Sequence, residues 1–533
     1  MVPFNWFGGS RGLCALLAAS LAAGCAPLWG LRYLAAYPNK PPTAQSHATP
    51  ITLNVSPSLN DTCFIGMALS GGGSRAANFS AAVMWELDQL GILERVQYVS
   101  SVSGGSLPAA YYALFKREPQ RWNEPTLKRL MAKNFECLGW RALLNPLRWP
   151  LFLGTSYDRT SVLAEVFDAH LFQHRTFSQL PQDAPVLLLN ATDYVRGERF
   201  VFSNESFETL GSDLGQLPIA VGVMASAAYP GLLRAVTLKD FHPRGAPRPR
   251  DLLQPEGLAR LADTPYLHLI DGGVIDNLGL DSLARAYIKQ LERNPARFTN
   301  GCLLILVDAQ TPSEEARLGW QPDTRGPIDL LFDTNALRAV GILMTSKREQ
   351  QLAALGFDSL HQWAAIREAK AHGTGWTERR LSPQEIQQPL SFLEEGRLGR
   401  GVFVPADDSM AQAPEPSPAP PCRVWHIALQ DLAINAPYPE LYEAAYLRQY
   451  AAQFGESYPE FRAVLTEIPT RFFLHPTHRE RLYAAAQLLV HEPASQRTIC
   501  GWLYDLTGQT CRSAHGDSAA TGQSEAADIA PPR

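Results

Sequence analysis

The stretch Ser101-Val102-Ser103-Gly104-Gly105 decides how this sequence is interpreted. The run before it, Val96–Val102, is rich in β-branched and aromatic residues and predicts a short strand, and Leu107–Leu114 predicts a helix directly after it. In a sharp strand-to-helix turn the central serine projects its oxygen outward, and the residues two before and two after it must be small. Ser103 is therefore the candidate nucleophile, and its turn is formed by Ser101, Gly104 and Gly105.

A second motif, Ser70-Gly71-Gly72-Gly73-Ser74-Arg75-Ala76, lies between a predicted strand, Phe64–Leu69, and a predicted helix, Ala77–Leu90. Consecutive glycines let main-chain N–H groups point into a cavity without side chains in the way. Stabilising an oxyanion requires this arrangement. The motif is the candidate oxyanion hole, with these members: Gly71, Gly72, Gly73 and Arg75.

The third motif is His268-Leu269-Ile270-Asp271-Gly272-Gly273-Val274-Ile275-Asp276-Asn277. A predicted strand, Tyr266–Ile270, delivers Asp271 at its end, and Gly272 and Gly273 let the backbone turn away without shielding the carboxylate. A serine on a sharp turn, a glycine-rich loop that can bind an anion and a strand-end aspartate are the parts of an acyl-transfer site.

In this order, the three motifs resemble those of the patatin-like phospholipase family. The resemblance covers roughly 64–308 and is supported by two further segments, Asn190-Ala191-Thr192-Asp193 and Ala225–Pro230. It implies an α/β three-layer sandwich with a central, mostly parallel sheet, a Ser103–Asp271 dyad in place of a triad, and a phospholipid or other acyl-ester lipid as substrate. Three small replacements depart from the family pattern and bear on substrate preference more than on catalysis: Ser70, Ala76 and Ser101.

A Ser-His-Asp triad would need a histidine as base. His268 lies nearest to Asp271 in sequence, but an odd separation on a strand places two residues on opposite faces. Asp271 must then take the Ser103 proton itself, which requires partial desolvation, since an ordinary aspartate has a pKa of about 3.9. Other histidines are predicted to be surface or packing residues: His242, His426, His475 and His478. No sequence cluster has the spacing of metal ligands, so we expect neither metal nor cofactor.

The glycine loop also fits the dinucleotide fingerprint G-x-G-x-x-G/A, at Gly71, Gly73 and Ala76. In that fold an acidic residue closes the second strand and binds the ribose. Here the second strand ends in the serine turn, and Glu94 precedes the strand instead of closing it. The sequence therefore favours acyl transfer over nucleotide binding.

The N-terminus has the pattern of an exported lipoprotein. Arg11 precedes the apolar run Leu13–Ala23, whose eleven residues are too few to span a bilayer but suit a signal-peptide core. Small residues directly before Cys25 resemble a bacterial lipobox, which predicts a signal peptide over residues 1–24 and lipidation of Cys25. Ala26 favours, by the same resemblance, the outer membrane or another periplasm-facing membrane. An ordinary signal peptide or a buried helix is the alternative.

Export would place six of the eight cysteines in an oxidising compartment, after removal of Cys14 and acylation of Cys25. Cys500 and Cys511 bracket a short loop and are the candidate local disulfide. Three further cysteines lie in apolar runs and are predicted to be buried: Cys63, Cys137 and Cys302. A net charge of −5 over 533 residues carries no nucleic-acid footprint, and no Lys/Arg block indicates strong binding to anionic lipid.

The chain is predicted to hold an anchor and flexible tether over residues 25–60, with Pro41–Pro57 as the flexible part. Residues 61–512 form the acyl hydrolase domain, with further strands at Val186–Asn190, Leu303–Val307 and Arg423–Leu429. A helical insertion occupies about 328–398, Ala406–Pro421 is a loop, and 513–533 is a disordered tail. Apolar residues of the insertion, Leu337–Met344 and Trp363, fit a lipid-binding lid or, preferably, packing on the sheet.

Together these features predict a membrane-anchored serine acyl hydrolase that cleaves lipid acyl esters through an acyl-enzyme on Ser103. A transacylase or thioesterase remains open, because water and an acceptor alcohol would use the same dyad. A lipoprotein that keeps the fold as a binding scaffold is a further alternative. The intact Ser103, Asp271 and glycine loop argue against that alternative.

Overall fold

The computed structural model describes residues 33–34, 37–43, 62–243, 246, 264–294, 297–311, 335–354, 422–433, 444–455, 457–466, 468–471 and 473–512. The described strands form one eight-stranded sheet in the order β5-β6-β3-β2-β1-β7-β8, with β4 paired to β3. Their bounds are β1 Cys63–Leu69, β2 Tyr98–Val102, β3 Val186–Asp193, β4 Glu198–Phe202, β5 Val236–Lys239, β6 Tyr266–Asp271, β7 Gly301–Asp308 and β8 Cys422–Ala428.

The helices of the described residues alternate with these strands in the first half of the chain and predominate in the second. Their bounds are α1 Gly73–Gln89, α2 Ser106–Phe115, α3 Glu124–Met131, α4 Phe135–Leu143, α5 Trp149–Gly154, α6 Arg159–Phe167, α7 Asn204–Thr209, α8 Ile219–Ser226, α9 Leu280–Arg293, α10 Asn335–Ala354, α11 Gln430–Ala433, α12 Ala444–Ala452, α13 Tyr458–Thr466, α14 Pro476–His491 and α15 Pro493–Thr507.

The sheet is mostly parallel, and both of its faces are covered. β1 pairs in parallel with β2 and β7, β2 with β3, and β7 with β8, whereas β4, β5 and β6 pair antiparallel. Every residue of β1 is buried, as expected of a central parallel strand. Its side chains alternate between two apolar clusters: Ile65 and Met67 belong to the larger one, and Phe64 and Ala68 to the smaller. The predicted three-layer α/β fold is confirmed.

Local sequence patterns located most of the strands within two residues of their ends. The sequence did not predict β4 or β5, which have partly exposed residues and lack a long apolar run. Of the predicted helical insertion at about 328–398, the structure describes helix α10, and the remainder lies outside the described residues.

The N-terminal segment contacts the domain where the sequence predicted a flexible tether. Asn39 donates from Nδ2 to the Ser212 hydroxyl at 3.1 Å and to the Lys239 carbonyl at 2.8 Å, and its Oδ1 accepts from the N–H of Lys239. Tyr33 is buried with the main core. The start of the predicted tether is therefore docked at strand β5, while the signal peptide and Cys25 lie outside the described residues.

Two disulfides cross-link the described residues. Cys500–Cys511 is the predicted pair. The second, Cys302–Cys422, joins paired positions of β7 and β8. Cys302 is buried as predicted, but the sequence did not predict its disulfide. Cys63 is a free buried thiol as predicted, but Cys137 is exposed because it lies on the outer face of α4.

In the part of the chain that the structure describes, no helix combines the length and apolar character needed to cross a membrane.

Candidate active site

Strand β3 brings the ends of two other strands together. Its Asn190 is paired with Val102, the last residue of β2, and its next residue, Ala191, is paired with Asp271, the last residue of β6. Because β2 runs parallel to β3 and β6 runs antiparallel, the two strand ends meet at consecutive residues. Ser103, which follows Val102, therefore faces Asp271.

Ser103 and Asp271 form a direct hydrogen bond. The Ser103 hydroxyl donates to Oδ2 of Asp271 at 2.8 Å, and Oδ1 accepts the N–H of Gly273 at 2.8 Å. The N–H of Gly273 therefore fixes the carboxylate while its second oxygen faces the serine. This is the geometry that a nucleophile and its base require.

The Asp271 carboxyl is shielded from water, with a relative exposure of 1%. Burial raises its pKa to about 6, even though the hydrogen bonds from Gly273 and Ser103 favour the charged form. A carboxylate with this pKa is a better proton acceptor near neutral pH than an ordinary aspartate.

Ser103 lies on a strained backbone turn. Its φ is 50°, a left-handed value that costs energy for a residue with a side chain. A Cβ on Gly104 would collide with the carbonyl oxygen of Gly73, and one on Gly105 would lie 2.7 Å from the carbonyl oxygen of Ser70. Both glycines are thus required by the glycine loop, whereas the sequence argument required only Gly105 of the two to be small, because of its spacing from Ser103.

A second serine holds this turn in place. Ser226, the last residue of α8, accepts the backbone N–H of Ser103 at 2.9 Å through its hydroxyl, which also lies 3.0 Å from the Ser106 hydroxyl. All three serines are buried. The sequence pointed to the segment around Ser226 but assigned it no role.

The glycine loop meets the start of α1, where the positive end of the helix dipole favours an anion. The N–H of Gly71 donates to the carbonyl of Asn277 at 2.9 Å. It is therefore not available to an oxyanion in this structure, although the sequence predicted Gly71 as part of the oxyanion hole. Among the described residues, the N–H groups of Gly72 and Gly73 have no acceptor. Their φ angles of 136° and 58° are ones that glycine adopts readily.

The side chain of Arg75 points into the protein. It is buried, and its guanidinium donates to the Thr311 hydroxyl at 2.9 Å and to the Ile468 carbonyl at 3.1 Å. Arg75 therefore connects the glycine loop to two distant segments. Through these two bonds Arg75 holds the glycine loop of the predicted oxyanion hole in place.

No histidine bonds to the dyad in the described ranges of the chain. His268 is paired through Nδ1 with the Thr237 hydroxyl at 2.9 Å, on strand β5, as its odd spacing from Asp271 predicted. His426 is more than a packing residue, because its Nε2 lies 3.1 Å from Oδ2 of Asp308 in a buried cluster. In the same described ranges, no group of three His, Cys, Asp or Glu side chains could hold a metal ion.

Asp308 is the centre of an ion-pair cluster next to the site. Arg348 on α10 donates from Nε to Oδ2 of Asp308 at 2.7 Å. Burial alone would raise the pKa of Asp308, but Arg348 and His426 outweigh burial and hold that pKa well below its ordinary value. The neighbouring N–H of Ala309 donates to the Ser70 hydroxyl at 2.9 Å, which links this cluster to the glycine loop.

Helix α10 covers the turn after Asp271. A Cβ on Gly273 would collide with Cε of Met344, so the helix packs directly on this glycine. One turn and two turns further on, Arg348 and Gln351 bind Asp308 and Asp276. The described part of the predicted lid segment therefore packs next to the site, with Ile342 and Leu343 exposed, while Trp363 lies outside the described residues.

Comparisons with known proteins agree with this arrangement. Residues 67–284 match the family model described as patatin-like phospholipase. A search of curated proteins found no match.

Two solved structures have a limited similarity to this chain. Human GIVD cytosolic phospholipase A2 in complex with methyl gamma-linolenyl fluorophosphonate and terbium chloride is similar at a TM-score of 0.38 and 16% identity, over 84% of this chain and 60% of that chain. VipD from Legionella pneumophila is similar at a TM-score of 0.22 and 14% identity, over 49% of this chain and 52% of that chain. This chain thus spans less than two thirds of either protein.

The family match includes both dyad residues and the glycine loop, which the structure places in one buried site. The match to the patatin-like phospholipase model over residues 67–284 therefore spans the whole of this candidate site.

Proposed function

We propose that this protein is a membrane-anchored serine acyl hydrolase that cleaves acyl esters of phospholipids or related lipids. The observation that carries the proposal is the hydrogen bond of 2.8 Å from the Ser103 hydroxyl to Asp271, whose buried carboxyl has a pKa raised to about 6. The strained turn at Ser103 supports the same chemistry, and so do the N–H groups of Gly72 and Gly73, which have no acceptor within the described part of the chain.

The reaction proceeds in two steps on this dyad. Asp271 accepts the Ser103 proton while Oγ attacks the ester carbonyl, and the N–H groups of Gly72 and Gly73 stabilise the oxyanion. The intermediate collapses as Asp271 gives its proton to the leaving alcohol, which leaves an acyl-enzyme. Water then attacks the acyl carbon as Asp271 takes a proton from that water. The second tetrahedral intermediate collapses as Asp271 returns this proton to Oγ of Ser103, and the free acid is released.

The substrate class rests on the family match. Patatin-like phospholipases hydrolyse acyl esters of lipids. The residues of this chain that match their family model, 67–284, contain Ser103 and Asp271. A phospholipid or a related acyl-ester lipid is therefore the substrate to test first.

The lipid anchor and a periplasm-facing location are part of the same proposal. The residues around Cys25 support lipidation, and the disulfides Cys302–Cys422 and Cys500–Cys511 support an oxidising compartment. The anchor would keep the enzyme at the surface in which its substrate lies.

A fluorophosphonate probe tests the catalytic part. We expect labelling of the wild-type protein on the peptide that contains Ser103, and loss of both labelling and hydrolysis in Ser103→Ala. Ser80→Ala is the matched control, because Ser80 is a buried serine whose hydroxyl has no hydrogen-bond partner among the described residues. Full turnover of phosphatidylglycerol and phosphatidylethanolamine vesicles by a well-folded Ser103→Ala protein would contradict the dyad.

Substitution of the cysteine tests the anchor. Cys25→Ser should move the protein from the membrane fraction to the soluble fraction, because the thiol that carries the lipid is removed. An unchanged membrane fraction that still needs detergent for release would point to a different attachment.

A further inference from the structure

An apolar surface on α4, α5 and the turn between them is exposed in this structure. Five large apolar side chains within fourteen residues of sequence are between 55% and 90% exposed. They define the outer apolar surface: Trp140, Leu144, Leu147, Trp149 and Leu153. Single exposed leucines are ordinary on a protein, but a group of this size in one segment marks an interaction site.

The inner side of the same segment is firmly packed. The rings of Phe135 and Phe167 lie 5.1 Å apart, edge to face. Arg148 donates to both carboxylate oxygens of Glu165, at 2.8 and 3.1 Å. The segment is therefore held to α6 by buried and paired side chains, and its outward apolar face is a property of the folded state.

The outer apolar surface lies at the edge of the fold that contains the dyad. Asn78, one turn into α1 from the glycine loop, donates to the carbonyl of Met131 just before the segment. After the segment, the Thr160 hydroxyl donates to the carbonyl of Arg234. Arg234 lies in the loop that follows Ala228, and the carbonyl of Ala228 accepts the N–H of Asp271. The segment thus runs from the glycine-loop side to the Asp271 side of the same edge.

The charge around this surface is basic, although the whole chain has a net charge of −5. From Lys128 to Ser156 the sequence has five basic residues and one acidic residue, Glu136. Lys128 and Arg148 are paired with Glu124 and Glu165, so the excess positive charge comes from Arg129, Lys133 and Arg141. Tryptophan and leucine flanked by basic residues suit the interface of an anionic bilayer, where indole rings lie at the headgroups and leucines reach the acyl chains.

The chain between Cys25 and the folded domain is short enough to keep the domain near a membrane. Cys25 precedes the buried Tyr33 by eight residues. An extended chain of that length reaches at most about 29 Å. A lipid at Cys25 would therefore hold Tyr33, and the domain with it, within about that distance of the bilayer.

We propose that Trp140, Leu144, Leu147, Trp149 and Leu153 dock the dyad edge of the protein onto an anionic phospholipid bilayer. This inference rests on the proposed function, since it explains how an acyl ester could pass from the membrane to Ser103. It assigns to the domain a membrane contact separate from the lipid on Cys25.

The test uses the full chain in a Cys25→Ser background, so that a lipid anchor does not contribute. Vesicles of phosphatidylcholine and phosphatidylglycerol in a 7:3 ratio are floated with the parent, with Trp140→Ser/Trp149→Ser and with Leu144→Ser/Leu147→Ser. We expect each pair to weaken vesicle binding by about tenfold or more. Tyr504→Ser is the matched control, because Tyr504 is 61% exposed on α15. That helix contacts the opposite edge of the sheet through Asn300.

Activity measurements separate this inference from the proposed function. The paired variants should hydrolyse a soluble short-chain ester at the parental rate and vesicle phospholipid more slowly. A parent that hydrolyses neither substrate would refute the proposed function, while loss of vesicle binding in the variants would still support docking. Unchanged vesicle binding in both paired variants would overturn the docking surface. Loss of self-association in those variants, seen by sedimentation with vesicle binding unchanged, would identify the surface as a contact with a second copy.

Discussion

The hydroxyl of Ser226 accepts the backbone N–H of Ser103 at 2.9 Å, across 123 residues of sequence. This bond holds the nucleophile at a φ of 50°. The N–H in this turn lies outside the strand and helix hydrogen-bond patterns, and here a side chain accepts it. Ser226 is therefore a positioning residue for the nucleophile.

Ser226→Ala should lower kcat more than it changes KM, because the Ser103 turn loses its acceptor while the binding surface stays in place. Leaving a buried N–H without a partner costs about 1–3 kcal/mol, so the melting temperature should also fall. The measurement is kinetics on a soluble ester together with thermal unfolding. The Ser80→Ala control should leave kcat unchanged. An equal loss of kcat in the two variants would remove the positioning role.

The rate should depend on an ionisation near pH 6. Asp271 must be charged to accept the Ser103 proton, and its burial raises the pKa to about 6. We therefore expect kcat/KM to be constant above pH 7 and to fall tenfold per unit below pH 6. A pH profile on a soluble ester measures this. A profile that stays flat down to pH 4.5 would mean that another group is the base.

Asp271→Asn should abolish activity and still stabilise the fold at high pH. Because the pKa is raised, the folded state favours the neutral acid, and charging the carboxylate destabilises the fold. This destabilisation is absent below pH 3.9 and complete above about pH 6. The asparagine removes this cost, on the order of 2–3 kcal/mol at pH 8. Denaturation at pH 8 and at pH 3.5 should show a gain only at pH 8. A loss of stability at pH 8 would contradict the desolvation argument.

Gly104→Ala should inactivate the enzyme because its new methyl group would meet the carbonyl oxygen of Gly73 and displace the glycine loop. Gly501 is a suitable control, since a Cβ there has nothing within 4 Å and alanine favours a helix by about 1 kcal/mol. Ester hydrolysis and thermal melting are compared for both variants. Normal kcat in Gly104→Ala would show that the contact between turn and loop is not needed.

The two disulfides should differ in what they contribute to stability. Cys302–Cys422 closes a loop of 120 residues and Cys500–Cys511 one of 11. By loop-closure entropy, removing the first pair should cost about 4.9 kcal/mol and removing the second about 2.8 kcal/mol. Urea denaturation of the two double-alanine variants gives this order. The reverse order would mean that the loop-closure term does not dominate.

Local patterns in the sequence predicted the parts of the site that depend on neighbouring residues. The strand before Ser103 and the one that ends at Asp271 have apolar runs followed by glycines, and both runs form strands in the structure. Neither motif predicted that the ends of these two strands lie next to each other on β3. This arrangement depends on the pairing of Asn190 and Ala191, which only the folded sheet determines.

Contacts between distant segments account for most of what the sequence did not predict. The disulfide of Cys302 lies between residues far apart in the chain, and so does the bond from Ser103 to Ser226. No periodic pattern encodes such partners. The sequence predicted that Cys137 is buried because it lies in an apolar run. The apolar residues of that run, Trp140 and Leu144, are themselves exposed, and so is Cys137.

The ion pair of Arg348 and Asp308 provides the last prediction. Both side chains are buried, and the pair is the contact by which α10 is fixed to β7 next to the glycine loop. Arg348→Leu leaves a buried carboxylate without this partner and should cost about 3–5 kcal/mol at pH 7. Replacing both residues, as Arg348→Leu/Asp308→Leu, removes the stranded charge and should recover much of that loss. The exposed pair of Lys128 and Glu124 is the control, and Lys128→Met should cost about 0.5 kcal/mol or less. Urea denaturation of the four proteins measures these differences. If Arg348→Leu were no more destabilising than Lys128→Met, the buried pair would not be what holds α10 over Gly273.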